Sequence, residues 1–141
     1  MTGTGPTCEV TMDGDTRIFT LAEANATLPG LVRLTRRVIA RIDRVRRRYG
    51  LGESNPELPE AALREVEELL QGWSARVAAL GALPKGYFTV DFQSMDPSLL
   101  YCWTYGEETI AYTHKTWENF SHRRPLLEAM QAEGEYSRWV N

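Results

Sequence analysis

The chain has 141 residues, of which 43% are hydrophobic and 25% are charged, and its formal net charge is −3. This length and composition are typical of one globular domain with a single hydrophobic core. The acidic balance excludes a general electrostatic attraction to nucleic acid or to anionic membranes. The sequence also lacks both a run of about 18 apolar residues and a basic segment followed by an apolar one. We therefore expect a cytoplasmic protein with neither nucleic-acid nor membrane partners.

The chain contains two cysteines, Cys8 and Cys102. Cys8 lies in a polar N-terminal stretch, and Cys102 lies inside an apolar run. Two cysteines placed in this way do not form the framework of a disulfide-stabilised fold. We expect a reducing compartment.

The first predicted helix begins at Thr20, because Thr20 and Glu23 have the spacing of a capping box. Pro29 predicts a kink in this helix but not its end, and Gly50 and Gly52 predict the end. Positions at alternating steps of three and four form one seam along the helix. They are Leu21, Ala24, Leu28, Leu31, Thr35, Val38, Ile42, Val45 and Tyr49.

A second helix is predicted from about Pro59 to a stop at Gly81. Its apolar stripe consists of Ala62, Val66, Leu70, Trp73, Val77 and Leu80. Two striped helices joined by a short connection predict an antiparallel helical hairpin.

After Gly86 the apolar period changes to two, which predicts strands over 87–92, 99–103 and 109–114. Pro125 is expected to open a short last helix that runs from 126 to about 131. The predicted fold class is α+β, with a long antiparallel helical hairpin packed against a small three-stranded antiparallel sheet and a short C-terminal helix. We expect the domain to span 17–131, between a mobile leader over 1–16 and a polar tail over 132–141.

The length of the hairpin loop around Gly106 decides which side chains of the last two strands share a face. A loop with an even number of residues places Tyr112 and His114 on one face with Trp103, and Cys102 on the other. A three-residue loop instead pairs Cys102 with Tyr112 and puts Cys102 on the face of His114. Two-residue loops are the more common solution, so we favour the first register.

Residues 99–126 gather most of the groups that can carry chemistry. Cys102, His114 and His122, with Glu107, are residue types that bind zinc. However, the sequence has neither a Cys-x-x-Cys nor a His-x-x-x-His spacing, and the favoured register points Cys102 away from His114. We therefore expect no metal and no cofactor, and a structural role for Cys102.

The same segment suggests a small-molecule site. We expect catalytic roles for His114, Glu107 and Tyr112, with a partly exposed His114 as the preferred base. If Glu107 lies too far away, it holds the loop as an acceptor for turn amides. The expected ligand-binding residues are Trp103, Trp117, Phe120 and Arg123, with Arg123 holding a carboxylate. This hypothesis describes an acid–base enzyme of specialised metabolism that acts on an aromatic or amine-bearing substrate, for example in a Pictet–Spengler-type condensation.

Two other interpretations stay open at this point. The aromatic residues can be a filled core that fastens the sheet to the helices. The chain can also be a non-catalytic regulatory or assembly module that uses the hairpin as its working surface. Arginines on the first helix and glutamates on the second favour pairing between helices or across a dimer over phosphate binding. Because the apolar stripes exceed what a small sheet can cover, we expect a homodimer.

Two segments of the sequence form a recognisable pattern. The first is Phe19 to Pro29, and the second begins with Val90-Asp91-Phe92. The second segment continues through Cys102-Trp103, Gly106-Glu107, Ile110, Tyr112, His114, Phe120, Arg123 and Pro125-Leu126. Together they resemble the small bacterial proteins grouped as domain-of-unknown-function family 2203. The resemblance covers roughly 17–126 and implies a helical hairpin with a small sheet, but no activity. Asn119 stands where the family usually has glycine, and we expect a looser turn there that offers Asn119 and His122 to a ligand.

Overall fold

The computed structural model describes residues 16–50, 58–86 and 88–126. The fold is α+β, as predicted. Its elements are α1 (Leu21–Arg48), α2 (Glu60–Ala79), β1 (Leu83–Lys85), β2 (Thr89–Gln93), β3 (Leu99–Thr104), β4 (Tyr112–Lys115), a 3-10 turn (Phe120–His122) and β5 (Arg124–Pro125). The expected leader before residue 16, the C-terminal helix beyond Leu126 and the polar tail lie outside the described residues.

Helix α1 begins at the predicted capping box. The Glu23 amide donates to the Thr20 hydroxyl over 3.0 Å, and the Thr20 amide donates to the Glu23 carboxylate over 3.0 Å. The helix continues through Pro29 and ends at Arg48. Gly50 then has a φ of +67°, a left-handed conformation that glycine adopts at little cost.

Helices α1 and α2 form the predicted antiparallel hairpin. The buried Trp73 indole donates to the Thr35 hydroxyl over 2.8 Å, whereas Arg48, near the end of α1, pairs with Glu65, near the start of α2. Among the described residues, neither helix is long and apolar enough to cross a membrane.

The predicted end of α2 at Gly81 is confirmed, and a tertiary contact explains why glycine stands there. Gly81 has a φ of +91°, and a Cβ there would meet the Arg17 side chain at 2.6 Å. The Arg17 amide also donates to the Gly81 carbonyl over 2.9 Å. Glycine therefore lets the segment before α1 pass close to the end of α2.

In the part of the chain that the structure describes, five strands form one antiparallel sheet in the order β1-β2-β3-β4-β5. The prediction of three strands is wrong in number, because β1 and β5 were missed. Both lie at the sheet edges, where Pro84 and Pro125 are tolerated although they donate no hydrogen bond. Pro125, which precedes the expected last helix, pairs with Tyr112 as part of β5, and Leu126 after it is helical.

The favoured register of the β3–β4 hairpin is also wrong. Cys102 pairs with Tyr112, and Leu100 pairs with His114. The connection spans residues 105–111, an odd number, and is not a tight turn. Its Ile110 side chain is buried in the core, and the Ile110 amide donates to Asn25 of α1 over 2.9 Å. This long-range anchor to the helix sets the register.

The sheet has two different faces. On the inner face, Val90, Phe92 and Trp103 join one core with side chains of α1 and α2. Successive strand residues alternate between faces, so the outer face carries mostly polar groups. Its residues are Thr89, Asp91, Leu100, Cys102, Thr104, Tyr112 and His114.

Candidate functional site

A cavity of about 770 Å³ lies on the outer face of the sheet, on the side opposite the helical hairpin. Asp91, Cys102 and His114 line its floor. One wall is formed by the 3-10 turn and the segment before it, and Lys85 and Gly86 at the end of β1 supply part of another. The lining residues of the first wall are Thr116, Glu118, Asn119, Phe120 and Ser121. The sequence predicted a pocket near His114, but on the other face of β3.

The three floor residues come from three neighbouring strands. Asp91 on β2 lies directly opposite Cys102 on β3. His114, on β4, lies diagonally across from Cys102. Their side chains are buried, with 2%, 0% and 3% of the residue surface exposed. One oxygen, the sulfur and one ring nitrogen all lie within 4.8 Å of one another. We call these three residues the floor trio.

Both ring nitrogens of His114 have partners. Nδ1 lies 2.8 Å from the Lys115 carbonyl oxygen, which only accepts, so Nδ1 carries a hydrogen and donates it. Nε2 lies 3.2 Å from both Asp91 carboxylate oxygens. The expectation that His114 is partly exposed is wrong, because only 3% of its surface is exposed at the cavity floor.

Burial and the neighbouring negative charge of Asp91 together raise the pKa of the Cys102 thiol to about 12, although the positive charge of Arg123 opposes the shift. A thiol with this pKa stays protonated near neutral pH and is a poor nucleophile. The environment of Cys102 therefore favours the thiol over a free thiolate.

Glu107 and Arg123, predicted to serve a ligand, bind each other. Arg123 Nη2 lies 2.8 Å from both Glu107 carboxylate oxygens. The guanidinium lies 4.0 Å from the Tyr112 ring centroid and 4.4 Å from that of Phe120. The Thr104 amide also donates to Glu107 over 2.9 Å. These contacts stabilise the β3–β4 connection, the alternative role that the sequence suggested for Glu107.

The aromatic residues predicted to form one pocket face are separated. Trp103 lies in the inner core with no exposed surface, and its indole donates to the Glu107 carbonyl over 2.9 Å. Trp117 is 73% exposed. Trp103 and His114 thus lie on opposite faces of the sheet, contrary to the prediction, because their strands pair in the other register. Phe120 lines the cavity and is half-exposed.

The wall of the cavity is held by polar contacts. Glu118 accepts from the Lys115 amide and from both terminal nitrogens of Arg124, and these bonds lower the pKa of its carboxyl to about 2. Asn119 lines the cavity, and its side-chain oxygen caps the 3-10 turn through the Ser121 amide. His122 is exposed and lies 2.9 Å from the same oxygen, apart from the floor trio.

Asp91 is the site residue that residue-by-residue reasoning missed. It stands between Val90 and Phe92 in a strand with four buried positions. Burying a carboxylate without a partner costs considerable free energy. A carboxylate in such a run therefore indicates a polar contact on the face of the sheet opposite Val90 and Phe92. The partners lie 11 and 23 residues away along the chain, and only the folded sheet shows them.

Comparison with known proteins identifies a family for this chain. No curated protein and no solved structure matches the chain. The model of the family described as "Uncharacterized conserved protein (DUF2203)" matches residues 17–126, the range over which the sequence resembles that family. The chain therefore belongs to the DUF2203 family of uncharacterized conserved proteins.

Proposed function

We propose that the protein binds a small organic molecule in the cavity on the outer face of the sheet. The observation that carries this proposal is the cavity itself, whose volume of about 770 Å³ falls within the range of small-molecule sites. Its lining combines apolar surface from Leu100 and Phe120 with hydroxyl groups from Thr89 and Thr104. An apolar lining with a few placed polar groups is typical of ligand sites.

An aromatic or amine-bearing ligand fits this lining best. The Phe120 ring supplies an aromatic wall, and the Asn119 side chain and the carboxylate of Asp91 offer polar contacts. Acid–base catalysis, with a Pictet–Spengler-type condensation as the example, stays a prediction from the sequence. Because Glu107 is occupied by Arg123 and by a backbone amide, such chemistry belongs at the cavity floor and not at the β3–β4 connection.

Replacing Phe120 with alanine is expected to weaken binding of an aromatic ligand by about fivefold, because the ligand loses about 1 kcal/mol of ring contact. Trp117→Ala is the matched control, since Trp117 is an exposed aromatic residue three positions away that is absent from the cavity lining described above. We would screen aromatic amines and aromatic carboxylic acids by ligand-observed NMR. Equal effects of the two variants, or no binding by any member of the panel, would contradict the proposal.

We further propose that the protein forms a homodimer through α2. Leu63 and Leu70 are 44% and 38% exposed and lie seven residues apart, on one stripe of the helix. The double variant Leu63→Glu/Leu70→Glu is expected to be monomeric, because a charge on each leucine opposes burial. Light scattering measures the mass, and a single-chain mass for the unmodified protein at all concentrations would exclude the dimer. This surface is also the one that an assembly module would use.

The proposed location is the cytoplasm. A reducing compartment keeps the thiol of Cys102, which is free, in the form that the cavity floor contains.

A further inference from the structure

We infer that Asp91, Cys102 and His114 form a binding site for a zinc ion at the floor of the cavity. The sequence argued against a metal because Cys102 was expected to point away from His114. That argument fails, since the observed register puts both residues on the outer face beside Asp91. The inference does not depend on which small molecule the cavity binds.

The geometry of the floor trio is close to that of a site that holds a zinc ion. Its three ligand atoms lie within 4.8 Å of one another, and Nε2 of His114 is 3.2 Å from the Asp91 oxygens. A tetrahedral zinc ion with ordinary bond lengths holds its ligand atoms about 3.4–3.6 Å apart. A contraction of at most about 1.2–1.4 Å in any of these separations therefore closes the trio around an ion. Adjacent strands set the positions of all three side chains, so this contraction needs no rearrangement of the backbone pairing.

The hydrogen bonding of His114 is a second, independent indication. A histidine that binds a metal through one nitrogen usually donates its other N–H to a carbonyl or carboxylate, which fixes the tautomer and the ring orientation. Here Nδ1–H donates to the Lys115 carbonyl over 2.8 Å, and Nε2 is directed at Asp91. The imidazole is thus already oriented as a ligand through Nε2.

The charge balance of the floor trio favours a divalent cation. As zinc ligands, a carboxylate, a thiolate and a neutral imidazole together carry two negative charges. A Zn²⁺ ion balances these two charges, so no uncompensated charge is left inside the protein.

The ligand set points to zinc and to one open position. Thiolate and imidazole select zinc over magnesium and calcium, which prefer oxygen ligands. Three protein ligands are the number found in catalytic zinc sites, where water or substrate takes the fourth position. Because all three residues line the cavity, that position is left to a molecule inside it.

Metal binding by the full chain tests the inference. The purified protein is stripped with a chelator and dialysed, and it is then titrated with Zn²⁺ by calorimetry and with Co²⁺ by absorbance. We expect one equivalent of either ion and a sulfur-to-cobalt charge-transfer band, which requires a thiolate ligand. Cys102→Ser and Asp91→Asn are each expected to weaken Zn²⁺ binding at least a hundredfold.

Two control variants separate the floor trio from adventitious sites. Cys8→Ser and His122→Asn remove the other cysteine and the other histidine and are expected to leave affinity and stoichiometry unchanged. A folded, unmodified protein that binds no Zn²⁺, or that binds Co²⁺ without the charge-transfer band, would overturn the inference even if Cys102→Ser failed to fold. Loss of the band in Cys8→Ser, with its retention in Cys102→Ser, would also overturn it.

Discussion

Replacing Trp103 with alanine is expected to lower the free energy of unfolding by about 3–5 kcal/mol, the range for removing a large aromatic side chain from a core. Trp103 has no exposed surface and lies in the core that joins the sheet to the helices. The substitution also removes the hydrogen bond from the indole to the Glu107 carbonyl, which anchors the start of the β3–β4 connection. Urea unfolding followed by circular dichroism measures the loss.

Trp117→Ala is the matched control for this prediction. Trp117 is 73% exposed, so its truncation is expected to change stability by no more than about 0.5 kcal/mol. The sequence places both tryptophans in the same ligand pocket, whereas the structure assigns one to the core and the other to the surface. Similar losses for the two variants would contradict the assignment.

Replacing His114 with alanine is expected to destabilise the metal-free protein by about 3 kcal/mol or more. The substitution removes a buried ring and leaves the Asp91 carboxylate, which is 2% exposed, without its imidazole partner. A partly exposed His114, as expected from the sequence, would instead leave the stability nearly unchanged when replaced with alanine. Chemical unfolding in the presence of a chelator measures the effect without any contribution from bound metal.

A double-mutant cycle with Asp91→Asn identifies the cause of that loss. If the unpaired carboxylate is responsible, His114→Ala costs less in the Asp91→Asn background, and the coupling energy is about 1 kcal/mol or more. The exposed pair of Glu60 and Arg64 is the control, and Arg64→Ala is expected to cost less than about 0.5 kcal/mol. Additive effects of the Asp91 and His114 substitutions would mean that the two side chains have no interaction energy and would contradict this cause.

The helices were predictable because their signals are local. The capping box at Thr20 and Glu23 and the seam spacing act within a few residues of one another, and the structure has the helix where these signals place it. The antiparallel hairpin follows from two stripes and a short connection. The three central strands were also found, since an apolar period of two is a local property.

The edge strands and the register were not predictable, because tertiary contacts decide them. Pro84 and Pro125 weaken the local strand signal. Both nevertheless lie in edge strands, each of which pairs with a neighbouring strand of the sheet. The register of β3 and β4 depends on Ile110, whose amide bonds to Asn25, 85 residues earlier in the chain. Rules for short hairpin loops consider only residues that are close together along the chain, so they do not predict that contact.

The sequence by itself determined the fold class, the helical hairpin, the family and the segment in which the cavity wall lies. Only the tertiary structure decided which face of the sheet carries the site and which side chains meet there. The physical reason is the two-residue period of a strand, through which a register shift of one residue exchanges the two faces. That exchange takes Trp103 from the predicted pocket into the core and brings Asp91, Cys102 and His114 together at the cavity floor.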